Sequence, residues 1–114
     1  LGCGHGFPGI YALQKGGHVT FSDFNIEVLE RVTIPNIISN CGNAVFKNGA
    51  DRIAKSIMFS GDWAGLSRCI YETFGQNYTF DFILSAETIY THTAAEEVSN
   101  LLCDLLSTNG HALI

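Results

Sequence analysis

Apolar positions recur along this chain in two rhythms, a period of about two residues and one of about three and a half, and the two alternate from end to end. The run Leu1 to Ile10 (LGCGHGFPGI) is a glycine-rich turn entering a helix, and Pro8 suits a first helical turn, where its missing N–H has no partner to lose. That helix is predicted to reach about Lys15, with Gly16-Gly17 closing it. His18 to Phe24 (HVTFSDF) is β-branched and aromatic and reads as a strand. Asn25 can cap the next helix, with Ile26, Leu29 and Val32 on one face; Pro35 kinks or restarts it, and Cys41-Gly42 is its stop. Asn43 to Lys55 has no clear rhythm and reads as a loop with a short helical or extended piece.

Ile57 to Ser60 reads as a short strand entering Gly61-Asp62-Trp63, and Leu66 to Phe74 as a helix ended by Gly75. Phe80 to Ser85 (FDFILS) is the most apolar strand, expected to be buried on both faces as in a parallel sheet. Thr93-Ala94-Ala95-Glu96 reads as a capping box, followed by the amphipathic stripe Val98, Leu101, Leu102, Leu105 and Leu106. Asn109-Gly110 is expected to end that helix and His111 to Ile114 to begin a further strand. Strands alternating with helices predict an α/β protein with a parallel sheet and right-handed crossovers.

Composition narrows the possibilities. The chain has 114 residues, 46% hydrophobic and 15% charged, which argues for one packed domain and against disorder. A net charge of −5 with only six Lys and Arg leaves no basic stripe for a phosphate backbone, so no direct nucleic-acid partner is expected. Cys3, Cys41, Cys69 and Cys103 are far apart and form no C-x-x-C pair, the pattern of reduced thiols in an intracellular protein. His5, His18, His92 and His111 are equally scattered, so no metal site is expected. No apolar run reaches the roughly 18 residues a membrane span requires, so no membrane partner is expected either.

Candidate chemistry gathers where strands end. Gly2, Gly4 and Gly6 give G-x-G-x-G, and Gly4, Gly6 and Gly9 give the G-x-G-x-x-G of dinucleotide-binding enzymes. Glycines so spaced let the backbone turn sharply and approach a ligand with no Cβ in the way, though a tight turn alone would leave the same mark. Asp23 follows at a strand end, about 20 positions on, where α/β dinucleotide folds place the carboxylate that accepts ribose hydroxyls. The other reading makes it a turn or capping Asp before Asn25. Asp62 can accept from an adenine amino group while the Trp63 indole covers the ring, unless Trp63 simply belongs to the core. In Ser85-Ala86-Glu87-Thr88-Ile89-Tyr90, a carboxylate after an apolar strand needs a partner or a task, and Tyr90 shares its face if the segment is a helical turn. Alternatively Glu87 is an ordinary acid at a helix N-terminus.

LGCGHG with FPGI behind it, FSDFN around Asp23, TIPN at Thr33 to Asn36, GDW at Asp62 and SAETIY ending in Glu87 to Tyr90 together resemble a seven-β-strand S-adenosylmethionine methyltransferase. Within that superfamily the chain is similar to the protein-histidine N-methyltransferase family, a relative of the lysine methyltransferase-like group with a D/E-x-x-Y signature after strand four. The likeness covers essentially the whole chain; TIPN with ETIY points to the histidine branch.

The resemblance implies a Rossmann-like seven-strand fold, truncated, with residues 1–114 a partial S-adenosylmethionine-dependent methyltransferase domain. The family's first strand and its C-terminal hairpin have no counterpart in this sequence, and in the family's sheet order the first strand lies between the second and fourth. The 114-residue chain is therefore expected neither to hold the fold nor to methylate anything alone. By resemblance Gly2, Gly4 and Gly6 wrap the methionine part of S-adenosyl-L-methionine, Asp23 binds its ribose, Asp62 and Trp63 hold its adenine, and Asn25 and Ser85 complete the cofactor set. Glu87 and Tyr90 face the substrate as the catalytic pair, and no metal is implied. The implied substrate is a histidine of a ribosomal protein, in a protein of cytoplasm and nucleus, nucleolus included, that is a monomer at full length. A protein-lysine methyltransferase, an NAD-dependent oxidoreductase using Gly4, Gly6 and Gly9, and a non-catalytic truncated product remain open alternatives.

Overall fold

A computed structural model describes residues 1–42 and 53–114, so the ambiguous stretch that begins at Asn43 lies outside the described residues as far as Arg52. The chain divides into two compact units, Gly2–Ser60, and Gly61–Ile114 together with Leu1.

In the first unit the elements are α1 (Phe7–Gln14), β1 (Val19–Asp23), α2 (Ile26–Val28), a π-helical stretch (Leu29–Thr33), α3 (Ile34–Cys41) and β2 (Ser56–Ser60). α1 starts with Pro in its first turn, as expected. It closes through two bonds, Gly16 N–H to Leu13 C=O and Gly17 N–H to Ala12 C=O, with Gly16 at φ +93°. This paired ending needs a left-handed residue that glycine adopts without strain. β1 and β2 run parallel, Phe21 opposite Met58 and Asp23 opposite Ser60. The core comprises Ile10, Leu13, Phe21, Leu29, Ile37 and Cys41, with Val19, Ile53 and Met58 packed against it.

The apolar face expected after Asn25 is corrected. Ile26 is exposed and Val32 half-buried, while Leu29, Thr33, Ile37 and Cys41 are buried, each four positions from the last. The physical reason is the π-helical stretch, in which Ile34 N–H bonds to Leu29 C=O. Pro35 has no N–H to return to the preceding turn, and the wider i→i+5 winding rotates every fourth residue inward. Asn25 occupies the cap position, but its side chain makes no cap bond.

In the second unit the elements are α4 (Trp63–Phe74), β3 (Phe80–Leu84), α5 (His92–Leu105) and β4 (Leu106–Leu113). Leu66, Ile70, Ile83, Val98, Leu101 and Leu105 are buried, and the Tyr71 hydroxyl ties α4 to α5 by donating to the Asp104 carbonyl at 2.6 Å. Three expectations are corrected here. Thr91 rather than Thr93 caps α5, because its extended backbone lets its hydroxyl accept from Ala94 N–H. Asn109-Gly110 does not end the helix; β4 starts at Leu106, and the extra residues are absorbed in a register shift between Phe80↔Leu106 and Phe82↔His111. β3 is not buried on both faces: Phe82 is 65% exposed, its ring stacked on His111 at 5.8 Å. Its strand partner among the described residues is β4, and at its end the Leu1 N-terminus donates to the Leu84 carbonyl at 2.7 Å.

The architecture is therefore α/β with short parallel strands. Among the described residues its ladders form two two-stranded sheets, β1–β2 and β3–β4.

Gly9 is fixed by the contact of α1 with β1: a Cβ there would lie 2.3 Å from Phe21 Cε1 and 2.7 Å from Phe21 Cζ. Gly9→Ala is expected to lower the unfolding free energy by about 1–3 kcal/mol, read as a reduced urea midpoint with an unchanged slope; an unaltered midpoint would contradict this packing.

Candidate functional site

The first unit builds its candidate site around the glycine loop. Gly2, Gly4 and Gly6 have φ of +57°, +49° and +77°, so all three lie in the left-handed region. The G-x-G-x-G spacing thus marks a backbone that side-chain-bearing residues would adopt only with strain, whereas Gly9 serves helix–strand contact. Cys3 N–H donates to Ser22 C=O at 2.8 Å and Gly6 N–H to Cys3 C=O at 2.7 Å, which tie the loop to β1 and fold it on itself.

Asp23 belongs to this loop directly. Its Oδ2 accepts from Gly4 N–H at 3.0 Å, and its Oδ1 accepts from Asn25 N–H at 3.1 Å. A carboxylate oxygen can accept more than one bond, so this fastening leaves capacity for ligand hydroxyls. Both readings of Asp23 hold in part: it organises the turn before Asn25 and it presents an acid at the loop. Ser22, its neighbour on β1, is buried, and its Oγ has no hydrogen-bond partner among the described residues.

Two residues quoted only for family likeness prove to touch the loop. Thr33, fully buried, donates from Oγ1 to Gly4 C=O at 2.6 Å, and its Cγ2 would lie 3.0 Å from a Cβ at Gly6. Asn36 Nδ2 donates to the His5 carbonyl at 3.0 Å. Thr33 is also 3.6 Å from Cys3 Sγ. The signal that could have found them is the Thr-x-Pro-Asn spacing, a buried hydroxyl one turn from an amide beside a helix irregularity.

The second unit carries the other candidates. Asp62 caps α4, its Oδ1 accepting from Gly65 N–H at 3.0 Å, and Trp63 is half-buried at the first position of that helix. Ser85 and Thr88 pair through their hydroxyls, with Thr88 buried between exposed Glu87 and Ile89. Glu87 has φ +54°, a left-handed conformation that is uncommon for a residue with a side chain. α5 begins only at His92, so Glu87 is not an acid in a helical first turn and Tyr90, 75% exposed, does not share a helical face with it. Both instead project from a non-helical segment between β3 and α5. Backbone strain of this kind clusters at functional positions.

Burial pushes the Cys3 thiol above its ordinary value, and the nearby Asp23 charge adds to the rise. Among the described residues no group of three His, Cys, Asp or Glu could hold a metal ion, and no helix is long and apolar enough to cross a membrane.

No protein-family model matches the chain. Curated relatives do. The chain is 36% identical over 110 residues to the histidine protein methyltransferase 1 homolog of Dictyostelium discoideum, an alignment covering 96% of this chain and 31% of that protein. Against the homolog of Rattus norvegicus it is 35% identical over 130 residues, with 100% of this chain and 35% of the relative covered. Histidine protein methyltransferase 1 of Schizosaccharomyces pombe is 30% identical over 143 residues, 41% of its length. The chain thus spans between 31% and 41% of these relatives' length.

A thiol held neutral by burial alkylates slowly. Iodoacetamide at pH 8 is expected to modify exposed Cys69 and Cys103 before Cys3, with the lag narrowing as pH rises toward the Cys3 thiol's raised pKa. Peptide mass spectrometry reads the order; modification of Cys3 first would contradict its burial.

Proposed function

We propose, from the chain's place as a part-length member of the histidine protein methyltransferase family, that it supplies the donor-binding loop and a substrate-facing acid of an S-adenosylmethionine-dependent protein-histidine methyltransferase. The observation that carries this reading is the glycine loop. Three left-handed glycines are fastened to Asp23, and the space where a Gly4 Cβ would stand has no atom within 4 Å. Open space beside a loop amide and an acid with spare acceptor capacity suit a ligand with an amino-acid end and a ribose.

When bound, S-adenosylmethionine supplies a methyl group already activated on a sulfonium, with a neutral leaving group. The residues then need mainly to align reactants. Gly2, Gly4 and Gly6 hold the methionine part; Asp23, with Asn25 beside it, accepts from the ribose hydroxyls. Asp62, Trp63 and Ser85 retain the adenine and cofactor roles that the resemblance implies. An acceptor histidine, with an ordinary pKa near 6.5, is mostly the neutral imidazole at pH 7 and needs no strong base. Glu87 accepts from its ring N–H, fixing the tautomer and raising the nucleophilicity of the other nitrogen. Tyr90 walls the ring. We extend the same reading to a ribosomal protein as substrate and to cytoplasm and nucleus as location, and we place the seven-strand sheet in the full-length protein.

In the full-length protein, isothermal calorimetry is expected to give binding of S-adenosylmethionine and none of NAD; the reverse would assign the loop to an oxidoreductase. Asp23→Asn is expected to weaken that binding by about 10- to 100-fold. Glu87→Gln is expected to leave binding intact and slow methyl transfer about 10- to 100-fold. Residue-level mass spectrometry of the product separates histidine from lysine as the target, and methylation at lysine would overturn the assigned acceptor.

A further inference from the structure

We propose that Thr33 and Asn36 are positioning residues for the donor site, holding two consecutive carbonyls of the glycine loop from one helical turn and thereby setting the loop's ligand-ready shape. The inference rests on the reading of the loop as a donor site and goes beyond it by assigning Thr33 to Asn36 a task.

The argument begins with hydrogen-bond arithmetic. Thr33 has one hydroxyl proton. Its Oγ1 lies 2.6 Å from Gly4 C=O and 3.3 Å from Val28 C=O, so the proton goes to Gly4, and the Cys3 thiol is placed to donate to the oxygen in turn. One residue onward, His5 C=O takes its bond from Asn36 Nδ2 at 3.0 Å. The Asn36 carbonyl receives Asn40 Nδ2 at 2.7 Å, so the Asn36 turn is itself braced.

These carbonyls face the helix because Gly4 is left-handed at φ +49°. The same conformation lets the Gly4 N–H reach Asp23 Oδ2 on the other side. Flipping the peptide on either side of Gly4 would break its bond to Thr33 or to Asp23. The loop is therefore held in one shape by donors from the helix side and an acceptor from the strand side. The Thr33 methyl adds a steric stop, since it lies against Gly6 where any Cβ would be crowded at 3.0 Å.

The π-helical stretch leads directly into this pair of donors. It ends at Thr33, which lies four positions from both Leu29 and Ile37, and all three are buried. Such single-turn π insertions occur frequently at functional sites. Pro35 between the two donors secures the insertion by withholding an N–H.

The test uses the full-length protein, S-adenosylhomocysteine as probe, and calorimetry well below the unfolding temperature of every variant. Thr33→Val keeps the shape of Thr33 but removes its donor, and is expected to weaken binding about tenfold. Thr33→Ser retains the donor and is expected to bind within about twofold of the parent. Asn36→Asp, at a half-buried position that tolerates change, removes the donor to His5 and is expected to weaken binding about three- to tenfold. Amide hydrogen exchange should show loop protection lost in Thr33→Val and regained in Thr33→Ser. Variants that lower the unfolding temperature yet bind as the parent does would overturn the inference while leaving the donor reading intact. A parent that does not bind the probe would overturn the donor reading and, with it, the inference.

Discussion

Gly4 is held through both of its backbone polar groups. Its N–H is taken by Asp23 at the end of β1 and its C=O by Thr33 from the helix after it. Gly4 presents those groups from a left-handed backbone, which glycine adopts without steric cost. The remaining loop bonds, Cys3 to Ser22 and Gly6 to Cys3, depend on that bend being in place. Much of the first unit can be read as support for it. Phe21 and Gly9 press α1 onto β1, and the buried row Leu29, Thr33, Ile37 and Cys41 anchors the helix that supplies the donor.

A loop so constrained is organised before any ligand arrives. On the proposed function preorganisation matters, because methyl transfer asks for alignment more than for acid or base strength. A flexible loop would lose binding energy to its own ordering. Glu87, in the second unit, shows a related economy. Its left-handed backbone is uncommon for a residue with a side chain, and the half-buried Ser85–Thr88 hydroxyl pair brackets it.

Most of the element order was legible in the sequence because the strongest signals are local. Gly16-Gly17, Gly75 and Pro8 act through their own backbone chemistry, and each stands where expected. The glycine spacing and Asp23 were legible for the same reason, and a hydrogen bond from Gly4 N–H joins them. What was not legible depended on neighbours. Phe82 looked like core until it proved exposed, on a strand whose ladder partner among the described residues is β4. Asn109-Gly110 looked like a turn because a register shift leaves no mark in one strand alone. Ile26 looked buried because a period of about 3.6 residues was assumed where the chain winds more widely. Thr33 and Asn36 carried a family signature, but their partners are carbonyls of the loop, which no side-chain pattern reveals.

The central claim is that the glycine loop is already built in the protein without ligand, with Gly4 pinned between strand and helix. Amide hydrogen exchange at Gly4, followed by NMR in the ligand-free protein, tests it most directly. The account predicts exchange slowed at least about 100-fold relative to an unstructured peptide. Exchange at the unstructured rate would show an unformed loop and contradict it.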